Sequence, residues 1–154
     1  MPTSEQDVRT ALGAIEPDYP ALARALGPDA LPALDALVRG ADAHLAAKAV
    51  YLASLLADPR AAAVVRAGAA RAEPQVRVAS AAASRNLAPA EAGAALAPLL
   101  DDPDAGIRKV ALRAIPVVVP PALRARLEAI GVRDPEPALR ELSRAALQRV
   151  RPGP

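Results

Sequence analysis

A column of aliphatic residues that returns at a nearly constant distance narrows what this chain can become: Leu45, Val76, Ile107 and Leu139 stand 31, 31 and 32 residues apart. The next position in each case holds Ala46, Arg77, Arg108 and Arg140. Further columns read Ala49, Ser80, Ala111 and Ser143, then Leu52, Ala83, Ala114 and Ala146. Such a period marks a stack of small units, none of which buries its apolar face without a neighbour. Within each unit the apolar residues recur at steps of three and four, which is helical rather than strand periodicity. The small residue near the middle of each unit lets helices of adjacent units approach closely.

Composition points the same way. The chain is 53% apolar, almost all of it Ala, Leu and Val, with no Phe, Trp or Cys and only two tyrosines, Tyr19 and Tyr51. Alanine is the strongest helix former, β-branched residues are sparse and no stretch alternates with period two, so an all-α protein without a sheet is expected. Seventeen prolines argue against helix only if they fall inside one. Most stand at expected helix starts, as at Pro59, Pro74, Pro89, Pro103, Pro120, Pro121, Pro135 and Pro137, where the missing N–H is not needed.

The 154 residues suit a single domain. An N-terminal helical cap over 5–27 is expected, its first helix starting at Ser4 and putting Val8, Leu12 and Ile15 on one face, its second spanning 19–26. Four helix pairs follow over 29–150: 29–38 with 42–56, 59–70 with 74–86, 89–100 with 103–115, and 120–130 with 135–150. Pro116 shortens the second helix of the third pair and predicts an irregular step there. Acid-proline turns at Asp58-Pro59, Glu73-Pro74, Asp102-Pro103 and Asp134-Pro135 separate the helices.

The segments DDPDAGIRKVALRAI (101–115), AEPQVRVASAAASRNL (72–87) and RDPEPALRELSRAAL (133–147) resemble HEAT repeats, in particular the short bacterial form also called phycobilisome-lyase-like. The resemblance covers 29–150 and implies an α-α superhelix, a short α-solenoid of HEAT-like hairpins. Ala46 departs from it, since arginine is the expected residue there. The family includes scaffolds, adaptors, chromophore-lyase subunits and DNA glycosylases, so it implies an architecture more than an activity. It also implies a bracing role for Arg77, Arg108 and Arg140, bonded to acidic or carbonyl groups of the inter-helix turns, with Glu73, Asp104, Asp134 and Glu136 as partners. The competing reading is a ridge of anion-binding guanidinium groups.

The expected interaction surface is the face made by the second helices, with His44, Lys48, Tyr51, Arg85, Lys109, Arg113 and Arg144 as protein-binding candidates. Ser84 and Glu141 fall on the same expected face. Tyr51 reads equally as a binding anchor or as edge packing. His44 is the only histidine and has no Cys near it, so neither a zinc site nor a general base is assigned. Asp101, Asp102 and Asp104 read as helix caps rather than a calcium loop. No catalytic, cofactor-binding or metal-ligating residue is expected, and there is no phosphate-cradling glycine loop.

Net charge is +2. A non-enzymatic protein-binding or scaffold module is therefore the expected function, with a protein or acidic peptide as partner. Nucleic acid, or an enzyme-associated role like that of a chromophore-lyase subunit or a DNA glycosylase, is the alternative. A glycosylase would be expected to stack aromatic residues on a base, and Phe and Trp are absent. The N-terminal MPTSEQDVRT lacks the basic and apolar segments of a signal peptide, and no apolar run is long enough to span a bilayer. A cytoplasmic protein is the expectation.

Overall fold

The computed structural model describes residues 3–153. In chain order its helices are α1 (Glu5–Ala11), α2 (Tyr19–Leu26), α3 (Leu31–Arg39), α4 (Ala43–Ser54), α5 (Ala61–Ala69), α6 (Pro74–Ala83), α7 (Pro89–Leu96), α8 (Ala105–Arg113), α9 (Pro121–Arg133) and α10 (Pro137–Arg149). Single 3-10 turns lie at Pro28–Ala30, Ser84–Asn86 and Leu99–Asp101. Consecutive helices pack as hairpins, α3 with α4, α5 with α6 and α9 with α10, and the hairpins stack into two layers. In one layer α3 meets α5 and α5 meets α7; in the other, α4, α6, α8 and α10 follow one another. The arrangement is that of a helical repeat, an α-α solenoid. The first two helices continue both layers, α1 against α3 and α2 against α4.

The capping chemistry explains where the helices begin. Ser4 and Asp7 close a capping box on α1, and Asp18, Asp42 and Asp104 cap α2, α4 and α8 through their carboxylates. Pro74, Pro89, Pro121 and Pro137 open their helices at the first position. Pro59, Pro103 and Pro135 do not; they sit in the turn ahead of α5, α8 and α10, and Pro120 is the residue before α9. The reason is local. The Asp104 amide donates to Asp102 Oδ1 at 2.9 Å and the Glu136 amide to Asp134 Oδ1 at 2.9 Å, so the acid-proline pair is folded into a turn before the helix starts.

Two further expectations are corrected. The first helix stops at Ala11 rather than running to Ile15, so Val8 and Leu12 are buried while Ile15 projects into solvent, 95% exposed. A sheet was not expected, yet β1 (Val118–Val119), in the connection after Pro116, pairs in parallel with β2 (Arg151–Pro152). The Arg151 and Gly153 amides donate to the carbonyls of Val117 and Val119 at 2.6 and 2.8 Å.

The apolar columns face inward: Leu45, Val76, Ile107 and Leu139 are all buried, as are Ala49 and Ala111. The buried hydroxyls are satisfied by backbone, Ser80 donating to Val76 O, Ser84 to Ser80 O and Ser143 to Leu127 O. At Gly68 on α5 the packing is tightest, since a Cβ there would lie 2.4 Å from Ser80 Oγ and 2.6 Å from Val50 Cγ2. Among the described residues no helix is long and apolar enough to cross a membrane.

Candidate functional site

Arg77 and Arg108 each span two successive units. Arg77 lies on α6 four residues after its N-cap, Glu73, and its Nε donates to Asp102 Oδ2 at 2.7 Å in the turn of the following unit. Arg108 on α8, four residues after Asp104, donates in the same way to Asp134 Oδ2 at 2.8 Å. The Nη1 of each turns back to its own unit, Arg77 to the carbonyls of Arg71 and Ala72, Arg108 to those of Asp102 and Pro103. One planar guanidinium with a fixed fork of donors thus ties its own turn to the next. Both carboxylates are buried, Asp102 at 5% and Asp134 at 6% exposure. Burial pushes the Asp134 carboxyl up, but hydrogen bonds from Arg108 and the Glu136 amide, with the charges of Arg108 and Arg140, outweigh it and hold it below the ordinary carboxylate range.

The partner set differs from the expected one. Asp134 is a partner, whereas Glu73 and Asp104 are N-cap residues, and Asp102 acts as an acceptor for arginine rather than as a helix cap. Arg140 keeps only the backward half of the pattern, donating through Nη1 to the carbonyls of Asp134 and Pro135.

At the first step of the ladder the charges are inverted. Ala46 stands in the arginine position, and the carboxylate position of the following turn, two residues before the cap Glu73, holds Arg71. Arg71 reaches back, its Nη1 donating to the carbonyls of Val38 and Gly40, while its Nε and Nη2 pair with Glu73 at 2.9 and 2.7 Å. The Arg71 hydrogen bonds bring the Glu73 carboxyl down to about 2. The signal for this exchange lies in the sequence, in that positions 46 and 71 depart from pattern together.

The expected binding residues do not form one surface. Lys48 is tied to the end of α1, its Nζ donating to Leu12 O at 3.0 Å and Ala14 O at 2.6 Å, where unpaired helix-terminal carbonyls attract a cation. Tyr51 packs edge-to-face on Tyr19 of α2, with ring centroids 4.9 Å apart. Lys48 corrects the expectation of a free face on α4, while Tyr51 follows the edge-packing one of its two expected readings; with His44 they form a stripe directed at the N-terminal pair. His44 is exposed at the rim of a cleft of about 500 Å³ shared with Arg9, Ile15, Asp42 and Lys48.

Arg144 is also displaced from the expected groove. It continues the column of Val50, Ala81 and Leu112, which are fully buried, Val50 against Gly68 of the next pair. On α10 this column marks the forward end of the stack, and the Arg144 stem lies against Gly131 of α9.

The remaining three do converge. Lys109 and Arg113, one turn apart on α8, are exposed on the side opposite the buried columns. Arg85, after α6, donates through Nη2 to the Arg113 carbonyl at 3.1 Å, which brings a second guanidinium against the end of α8. The equivalent positions on α6 are Val78, 38% exposed, and Ala82, half-buried, so the cations border a small apolar strip. Among the described residues, none of the three is salt-bridged to a carboxylate, in contrast to Arg39, Arg60, Arg66 and Arg126, which pair with Asp35, Asp58, Glu91 and Asp101. Among the described residues there is also no cluster of three or more His, Asp or Glu side chains able to hold a metal ion. No protein-family model, curated protein or solved structure matches the chain.

Proposed function

We propose that the repeats are of the HEAT-like kind and that the chain is a non-enzymatic binding module, engaging an acidic, partly apolar segment of a partner protein through the open face of α6 and α8. One observation carries this reading: Lys109 and Arg113 on α8, with Arg85 held against the Arg113 carbonyl, are exposed without carboxylate partners among the described residues, in register with the exposed Val78 of the adjacent α6, on a chain whose other arginines are largely committed. Repeated helices make a rigid extended platform, and uncompensated charge on it steers an oppositely charged partner. The exposed valine gives the partner's side chains an apolar seat between the charges.

The test is fluorescence anisotropy with a labelled peptide of alternating glutamate and leucine, and in parallel with a single-stranded oligonucleotide of similar charge. The peptide is expected to bind, and Lys109→Glu with Arg113→Glu to abolish binding without loss of helical circular dichroism. Binding by the oligonucleotide alone, or peptide binding that survives the double reversal, would overturn the proposal.

A further inference from the structure

The ladder of Arg77 and Arg108 leaves one half-rung at each end of the chain, and the two halves match. At the C-terminal end, Arg140 occupies the arginine position four residues after its N-cap, Glu136. Its Nη1 braces its own turn, as in the two rungs before it. The Nε and Nη2 edge, which in Arg77 and Arg108 meets a carboxylate, has no carboxylate among the described residues.

At the other end, the turn before α2 reads Glu16-Pro17-Asp18, with Asp18 as N-cap. The accepting turns read Asp102-Pro103-Asp104 and Asp134-Pro135-Glu136, with Asp104 and Glu136 as N-caps. Glu16 is thus in the register of Asp102 and Asp134, two residues before the cap and followed by proline. Asp102 and Asp134 are buried under an arginine; Glu16 is exposed and makes no hydrogen bond or ion pair among the described residues.

We infer that a second copy of this chain docks head to tail, Arg140 of one copy closing on Glu16 of the next, so that the rung between successive units is repeated between molecules. The wider charge agrees with that occupant. Residues 1–20 hold one arginine against four carboxylates, and residues 121–154 seven arginines against four carboxylates. The forward column ends in Arg144 where earlier units have Val50, Ala81 and Leu112, so the contact is polar, weak and salt-sensitive. Because the two surfaces differ, the contact is heterologous and does not saturate at a dimer.

Sedimentation velocity of the full chain at low ionic strength tests this. The wild type is expected to sediment faster as concentration rises and to return to monomer when salt is added. Glu16→Arg and Arg140→Glu are each expected to abolish association, since each places like charges at the contact. Mixed in equal amounts, the two variants place opposite charges at both kinds of contact, the native pair where Arg140 of the first meets Glu16 of the second and the reversed pair at the other junction, and are expected to associate again. Arg140 also braces its own turn, so Glu16→Arg, in an exposed turn, tests the contact without touching that brace. The Lys109→Glu, Arg113→Glu protein is expected to associate like the wild type, which separates this contact from the open face of α6 and α8. A wild type that stays monomeric at every concentration overturns the inference. So does association that survives Glu16→Arg, or a folded mixture of the two variants that remains monomeric.

Discussion

At the scale of single residues, the buried carboxylates of the ladder carry the sharpest consequences. Asp134 accepts two bonds from Arg108 and one from the Glu136 amide, and replacing it with asparagine removes the charge while keeping the shape. A hydrogen bond to a charged group contributes more than a neutral one, so Asp134→Asn is expected to lower stability by about 2 kcal/mol at neutral pH, measured by urea denaturation. The pH dependence has a definite sign. A carboxyl held below its ordinary range contributes stability that is complete above the unfolded value and is lost as pH falls through the folded one. The gap between wild type and Asp134→Asn should therefore be full at neutral pH and close in acid. Both proteins should retain an acid-sensitive slope from Asp58 and Glu73, each held at about 2 by its neighbouring arginine.

At the scale of helices, the contact between α5 and its neighbours depends on the absence of a side chain. Gly68→Ala gains helix propensity of about 1 kcal/mol. Its Cβ would fall within 2.6 Å of both Ser80 Oγ and Val50 Cγ2, and overpacking of this kind costs about 1–3 kcal/mol. The expected outcome is a net loss in thermal stability, partly recovered by Ser80→Ala, which removes the closer atom. The helices were legible in the sequence because the apolar columns have a period and the caps have a residue type: Leu45, Val76, Ile107 and Leu139 are buried as expected, and Asp104 caps α8. What was not legible depends on where elements end and what stacks on them. Ile15 fitted a helical face that Gly13 and the turn beyond never allow to form, and Lys48 looked free because the end of α1 lies 34 to 36 residues away in sequence. Arg144 shared a residue type with Arg113 but stands in a different column, which separates the end of the stack from its open face.

At the scale of the whole molecule, a stack of hairpins distributes its stability along one dimension. Buried residues divide into two clusters, one centred on α3 and α4 with Leu34 and Leu52, the other on α8 to α10 with Ile107 and Leu127. Each unit leans on its neighbours, so damage at one end is felt locally. Leu127→Ala, which empties a fully buried site on α9, is expected to cost about 2–5 kcal/mol. In hydrogen exchange it should deprotect the amides of α9 and α10 while those of α3 and α4 exchange as in the wild type. Equal loss of protection at both ends would mean that the stack opens as one unit.

The pairing of β1 with β2 has a mechanical consequence. The strands run parallel, with all of α9 and α10 on the chain between them. Tension on the two ends of the chain draws β1 backward toward α8 and β2 forward past Gly153, sliding one strand along the other instead of peeling them apart. The Arg151 and Gly153 amide bonds to Val117 and Val119 are then loaded together rather than in turn. Until both yield, the last hairpin lies outside the line of force, and a pull on the polypeptide is felt first by the helices on the N-terminal side of Val117.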